Sequence, residues 1–197
     1  MTNSEQTAQR DILEPFESYA RAAGAQVSIV TTEAGAAAVI ASGAEGRIIY
    51  TAAVRERFPE LCQAVEAAGS ETAIAEGIAE TASDPSTLAA KLSGGVGIVL
   101  AQAGVAETGS VVLADDALAP RLLSMLADVC VALLPSSAIV SSLDEAGALL
   151  AELDKRGHRY VSLVTGPSRT ADIERVLTIG VQGPKALHIV VLVEEGA

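Results

Sequence analysis

GVGIVLAQAGVAETGSVVLADDALAPRLLSMLADVCVALLP, residues 95–135, holds the reading that decides the fold. Its last part, VCVALLP (129–135), is an apolar run without polar alternation, the pattern of a strand covered on both faces. The preceding ALAPRLLSMLAD has the length and apolar spacing of a helix. GVGIVLAQAGVA and GSVVLA, separated by Glu107 and Thr108, read as two further strands. Strands alternating with helices predict an α/β sandwich whose sheet is mainly parallel and mixed around residues 96–114.

The rest of the chain continues the alternation. Ile12, Leu13, Phe16, Tyr19 and Ala20 fall at helical spacing over residues 6–23, and Gly24 ends that helix. QVSIV (26–30) and RIIYT (47–51) read as strands. An Ala-rich helix spans 33–41, and residues 52–68 are helical with a break at Pro59. Asp84-Pro85 is an N-cap followed by proline in the first helical turn. Ser142 to Glu145 fits a capping box ahead of LDEAGALLAELD. YVSLVTG and ALHIVVLV supply the last two strands. The expected organisation is an N-terminal helix, 1–24, packed on a single α/β domain, 25–197.

Composition limits the function classes. Half of the 197 residues are hydrophobic but only 3% are aromatic, with no Trp, so the core is aliphatic and aromatic platforms for single-stranded nucleic acid are not expected. A formal charge of −12 repels phosphate backbones, so nucleic acid is not an expected partner. Cys62 and Cys130 form no CxxC and no four-ligand set, and read as buried free thiols of a reducing compartment. The N-terminus shows no basic region followed by an apolar run, and no apolar stretch reaches the roughly eighteen residues of a membrane helix. A cytoplasmic protein is expected, with no metal site.

TGPSRTADIERVLTIGVQGPKALHIVVL, residues 165–192, concentrates glycines, prolines, hydroxyls and charge. YVSLV predicts a strand, and Ala171, Ile173, Val176 and Leu177 predict a short helix after it. A tight turn at Gly166 and Pro167 then places Ser168, Arg169 and Thr170 at the helix N-terminus, where free N–H groups and a guanidinium can hold an anion. Residues 155–191 carry six basic and two acidic residues, a balance of +4, against seven basic and twenty-three acidic residues, or −16, elsewhere. The bland alternative is that Arg169 pairs with Asp172 and the other charges are solvated. Asp172 caps the helix or orients Arg169. Gly180, Gly183 and Pro184 shape the next loop and set Lys185 beside the pocket.

Glu107-Thr108-Gly109-Ser110 is the second constellation: Glu107 is the candidate base or nucleophile, with Thr108, Gly109 and Ser110 as ligand contacts. A turn whose glutamate faces water fits these residues equally well. His188 reads as structural and His158 as exposed. GGVGIV (94–99) lacks the third glycine of a dinucleotide loop.

TGPSRTADIE (165–174), LTIGVQGPK (177–185), ALHIVVL (186–192) and VAETGSVVL (105–113) resemble the LUD domain of the LutC/YkgG lactate-utilisation family. The resemblance is specific over about residues 95–193 and looser before. It implies a NagB/RpiA/CoA-transferase-like fold, a three-layer α/β/α sandwich. It also implies a LutC-like role in oxidising L-lactate to pyruvate beside iron–sulfur partner proteins. The chain itself would carry no cofactor and would bind a small carboxylate or phosphate. Gln182 departs from the family's usual histidine and cannot act as an acid or base near neutrality. Two alternatives stay open: a free-standing enzyme acting on a sugar phosphate or acyl thioester through Glu107, and a non-catalytic assembly subunit.

Overall fold

The structure, a computed structural model, describes residues 3–171, 177–179 and 183–193, with side chains over 11–169 and 183–193. In chain order the elements are α1 (Asn3–Ala22), β1 (Gln26–Val30), α2 (Glu33–Gly43), β2 (Ile48–Tyr50), α3 (Ala52–Arg57), α4 (Pro59–Ala67) and β3 (Thr72–Ile74). Next come α5 (Ala75–Glu80), α6 (Pro85–Leu92), β4 (Val96–Leu100), β5 (Ala103–Val105), β6 (Ser110–Ala114) and α7 (Leu118–Leu126). The remainder is β7 (Val129–Pro135), β8 (Ile139–Val140), α8 (Leu143–Lys155), β9 (Val161–Val164), β10 (Arg169–Ala171), β11 (Leu177–Ile179) and β12 (Ala186–Leu192).

A six-stranded sheet of order β1-β12-β7-β4-β2-β3 forms the centre, and every pairing in it is parallel. The apolar runs of β7 and β12 fill its middle because both of their faces are covered. Cys130, Ala132, Leu134, Leu187, Ile189 and Val191 share one core with Phe16 and Ala20 of α1, Leu92 of α6 and Leu123 of α7. The alternate residues Val131, Leu133, Val190 and Leu192 share a second core with Ile40 of α2, Val54 of α3 and Leu61 of α4.

The expected mixed sheet over 96–114 is instead two sheets. The N–H of Ala101 donates to Leu133 in the parallel sheet, whereas that of Gln102 donates to Val112 in a second one. The chain thus changes sheets between consecutive residues, which an unbroken apolar run does not reveal. The second sheet has four strands in the order β8-β5-β6-β9, antiparallel at β5–β6 and β6–β9 and parallel at β5–β8. Val111 and Leu113 face the α1 core, while Ala103, Val105 and Val112 join Ala146 and Leu153 of α8 in a third.

Helix starts follow local chemistry. The Asp84 carboxylate accepts the N–H groups of Ser86 and Thr87 at 2.9 and 3.0 Å, with Pro85 in the first turn. Ser142 Oγ accepts the N–H of Glu145, and the Glu145 carboxylate reaches back to Ser141 N at 2.8 Å, one residue beyond the usual box. Residues 72–80 show no clean period in the sequence, yet form edge strand β3 and α5. No helix among the described residues is long and apolar enough to cross a membrane.

Candidate functional site

Pairing of β6 with β9 sets Val111 opposite Val164 and so brings residues 107–110 beside residues 165–169. The two turns are joined by hydroxyls. Ser110 Oγ lies 2.7 Å from Thr108 Oγ1 and 2.6 Å from Thr165 Oγ1, and Ser110 is completely buried. Such a chain satisfies polar groups that would be costly to leave unpaired. Thr165 completes it, although its sequence position as the last residue of a strand gives no sign of this.

Both turns also seat the end of α1. Gly109, at φ +64°, lies so close that a Cβ there would overlap the backbone nitrogen of Ala20. Gly166, at φ +72°, packs in the same way against the carbonyl of Ala23. Arg169 donates to that carbonyl through Nη2. A guanidinium just past the C-terminus of α1 meets the negative end of its dipole.

The helix expected from Ala171 is absent at both of its ends. Arg169–Ala171 form β10, antiparallel to β11, with Arg169 opposite Ile179 and Thr170 opposite Thr178. β-Branched Thr170, Thr178 and Ile179 favour the ladder over a helix. No helix therefore begins at Ser168, and Arg169 and Thr170 do not form the anion-binding N-terminus expected of them. Asp172 and Gln182 lie outside the described residues.

Glu107 is exposed, and its Oε2 accepts the N–H of Leu143 at 2.8 Å. Its own N–H donates to Ser141. The carboxylate therefore sits at the positive end of α8, beside the Ser142 cap.

The open space lies on the other side of Gly166. A cavity of about 240 Å³ is bounded by Gly166, Ser168 and Gly183 from the loops, by Ser124 and Met125 from α7, and by Ser162 from β9. Cys130, Val164 and Leu187 give it apolar surface. The N–H of Ser168 donates to Pro184 at 3.1 Å and holds the two loops together. Gly183 is required there, because a Cβ would come within 2.9 Å of Ser168 Cβ. Gly166, Ser168 and Gly183 are thus brought together at one opening, whereas Thr108, Gly109 and Ser110 are built into the scaffold. Ser124, Met125 and Ser162 carry no signal in the sequence, since each looks like an ordinary residue of its helix or strand.

Lys185 does not line this cavity. Its Nζ pairs with Asp128 at 2.8 Å, and the N–H groups of Lys185 and Ala186 both donate to the Asp128 carbonyl. Cys130 and Cys62 are buried free thiols in different cores. Burial, reinforced by the charge of Asp115, pushes Cys130 up to about 12. Burial and then Glu66 push Cys62 up to about 11. Both stay protonated near neutrality. His188 Nε2 lies 2.9 Å from Ser28 Oγ and ties β12 to β1, its pKa lowered by burial and then by Arg21. His158 Nδ1 lies 2.7 Å from the Asp116 carboxylate. Among the described residues no group of three or more His, Cys, Asp or Glu is placed to hold a metal ion.

Comparison with known proteins bears on the family and the fold. The model of the LUD domain matches residues 13–192. Lactate utilization protein C 1 of Bacillus mycoides (strain KBAB4) is 39% identical over 100 residues, which cover 49% of this chain and 43% of that protein. Uncharacterized protein YkgG of Escherichia coli (strain K12) is 35% identical over 100 residues, with the same two coverages. The chain thus matches less than half the length of either relative. The crystal structure of a DUF162 family protein from Deinococcus radiodurans superposes with a TM-score of 0.64 over 93% of this chain and 98% of that one, at 20% identity, and shows the same fold. The chain belongs to the LUD domain family, alongside proteins named for lactate utilisation.

Proposed function

We infer that the chain is a LutC-like component of a cytoplasmic lactate-utilisation system, working beside iron–sulfur proteins that oxidise L-lactate to pyruvate. In this reading it binds a small carboxylate or phosphate anion in the cavity beneath Ser168, on a three-layer fold of the NagB/RpiA/CoA-transferase kind. The observation that carries the reading is the cavity itself. Its approximately 240 Å³ suits a small organic acid, and Gly166, Ser168 and Gly183 at its mouth come from the segments that carry the family likeness. Cys62 and Cys130 sit in separate cores, so they do not form a ligand set for one cluster, and the clusters are assigned to partner proteins.

The test is a thermal-shift screen with L-lactate, pyruvate and inorganic phosphate at fixed ionic strength, on wild type and Ser168→Ala. A ligand at about a hundred times its dissociation constant adds roughly 2.7 kcal/mol. A shift in wild type that shrinks in Ser168→Ala is expected. No shift with any of the three removes the anion site. Failure of the chain to co-purify from its host with a cluster-bearing protein removes the partner assignment.

A further inference from the structure

The edges of the two larger sheets are finished in different ways. An open strand edge is a template for pairing with another chain, and proteins blunt it with a charge, a proline or extreme shortness. At β1 the Arg21 guanidinium donates to the Val27 carbonyl. β3 is three residues long and β8 two. β9, Val161–Val164, is the fourth edge and has none of these devices. VSLV carries no charge and no proline, and β6 is its one strand partner among the described residues.

The ladder defines which groups β9 leaves open. The N–H of Asp115 donates to the Tyr160 carbonyl. By the two-residue repeat of an antiparallel ladder, Ser162 and Val164 also direct their backbone groups to β6, while Val161 and Leu163 turn theirs outward. Leu163 lies opposite Val112, which is buried in the α8 core, and Val161 packs on that same core. Both outward residues therefore present apolar side chains on the α8 face, and Leu163 is 46% exposed there.

We propose that β9 is a dimerisation edge, pairing antiparallel with β9 of a second copy of this chain about a two-fold axis at Ser162. A second copy fits because the edge is complementary to itself. In this register Val161 of each copy lies opposite Leu163 of the other, and both pairs use outward-facing groups, so all four on each strand are bonded. Val161 and Leu163 share a face, so each apolar side chain meets an apolar one, and Ser162 meets Ser162 on the other face. Centring the axis on Val161 instead sets Leu163 against Arg159, and centring it on Leu163 sets Val161 against Thr165. Charge favours the same register. Arg159 stands three positions from the axis, at opposite ends of the ladder in the two copies, and pairs with Asp154 at 2.9 Å. Two chains of formal charge −12 thus meet along a stretch that carries none. The two four-stranded sheets become one of eight.

Disulfide trapping tests the register, and sedimentation equilibrium tests the assembly. In the proposed pairing the two Ser162 Cα atoms form a non-hydrogen-bonded pair about 4.5 Å apart, within disulfide range. The two Leu163 Cα atoms are diagonal neighbours about 7–8 Å apart, beyond it. Cys62 and Cys130 are buried and stay out of the reaction. Under mild oxidation Ser162→Cys should be trapped as a covalent dimer and Leu163→Cys should not. Wild type should sediment as a dimer, and Leu163→Lys, which sets a charge on the edge, should weaken it at least about tenfold. A wild type that stays monomeric at about 0.1 mM overturns the proposal and leaves the edge to a strand of another protein. A dimer that Leu163→Lys leaves unchanged overturns it as well, as does equal trapping of the two cysteine variants. If Leu163→Lys does not fold, as judged by circular dichroism, the cysteine variants decide.

Discussion

The turn at 107–110 and the loops at 165–169 and 183–185 carry the same residue types, yet the structure uses them differently. In the first, every group is taken up by the scaffold. Glu107 holds the N-terminus of α8, Gly109 admits α1, and buried Ser110 links two threonines. In the second the work is divided. Gly166 and Arg169 hold the C-terminus of α1, while Ser168 and Gly183 also border open space. Glutamate at a helix N-terminus and arginine at a helix C-terminus are mirror uses of one electrostatic rule. A charged residue in a conspicuous turn therefore has two employers, helix ends and ligands, and residue type does not distinguish them.

The largest break in this comparison comes from Gly109→Ala. The added methyl overlaps the backbone of Ala20, and an L-residue at φ +64° is strained as well. Together these should cost about 3 kcal/mol, measured as a shift in the denaturant midpoint at unchanged slope. A loss below about 1 kcal/mol would show that α1 is not seated on this turn.

A second carboxylate sharpens the contrast with Glu107. Asp115 follows β6, and the neighbouring helices α5 and α7 have no side-chain cap at their N-termini. Burial first, then Glu76 and Asp116, raise its pKa from an ordinary 3.8 to about 6, against the opposing charges of Arg121 and His158. The folded state holds this proton more tightly than the unfolded chain, so the contribution of Asp115 to stability falls as pH rises from about 4 to 6. Asp115→Asn should abolish that slope and leave the protein more stable at pH 7, by on the order of 2 kcal/mol. Parallel wild-type and variant stability curves across pH 4–7 would refute the burial of this charge.

The smallest effect belongs to Glu107→Gln. Glutamine keeps an oxygen for the N–H of Leu143 and loses only the charge at the end of α8, so stability should fall by about 0.3–1 kcal/mol. The lactate-induced thermal shift should be unchanged. A loss of binding would move Glu107 from the scaffold to the site.

Much of the architecture was legible because it is local. Val129–Pro135 and Gln26–Val30 have the predicted bounds, Asp84 and Ser142 cap the predicted helices, and α3 and α4 divide at Pro59. Each of these follows from propensity, apolar spacing or the chemistry of one to four neighbouring residues. The second sheet was not legible, since nothing in AQAGVA marks where the chain leaves one ladder for another. The strand at Arg169–Ala171 reads in the sequence as the start of a helix, because a three-residue ladder takes its stability from a partner six to ten positions away.

Of the candidate site, the sequence by itself determined which segments carry unusual chemistry, 107–110 and 165–185, and that their glycines serve shape. Only the tertiary structure decided which groups face space and which face protein. It moved Glu107, Gly109, Ser110, Arg169 and Lys185 to structural partners, and it brought Ser124, Met125 and Ser162 to the cavity from elements that look ordinary. The physical reason is that helix ends and buried hydroxyls must find partners across the fold. Which partner is within reach is set by packing between distant segments, and one segment read alone does not contain it.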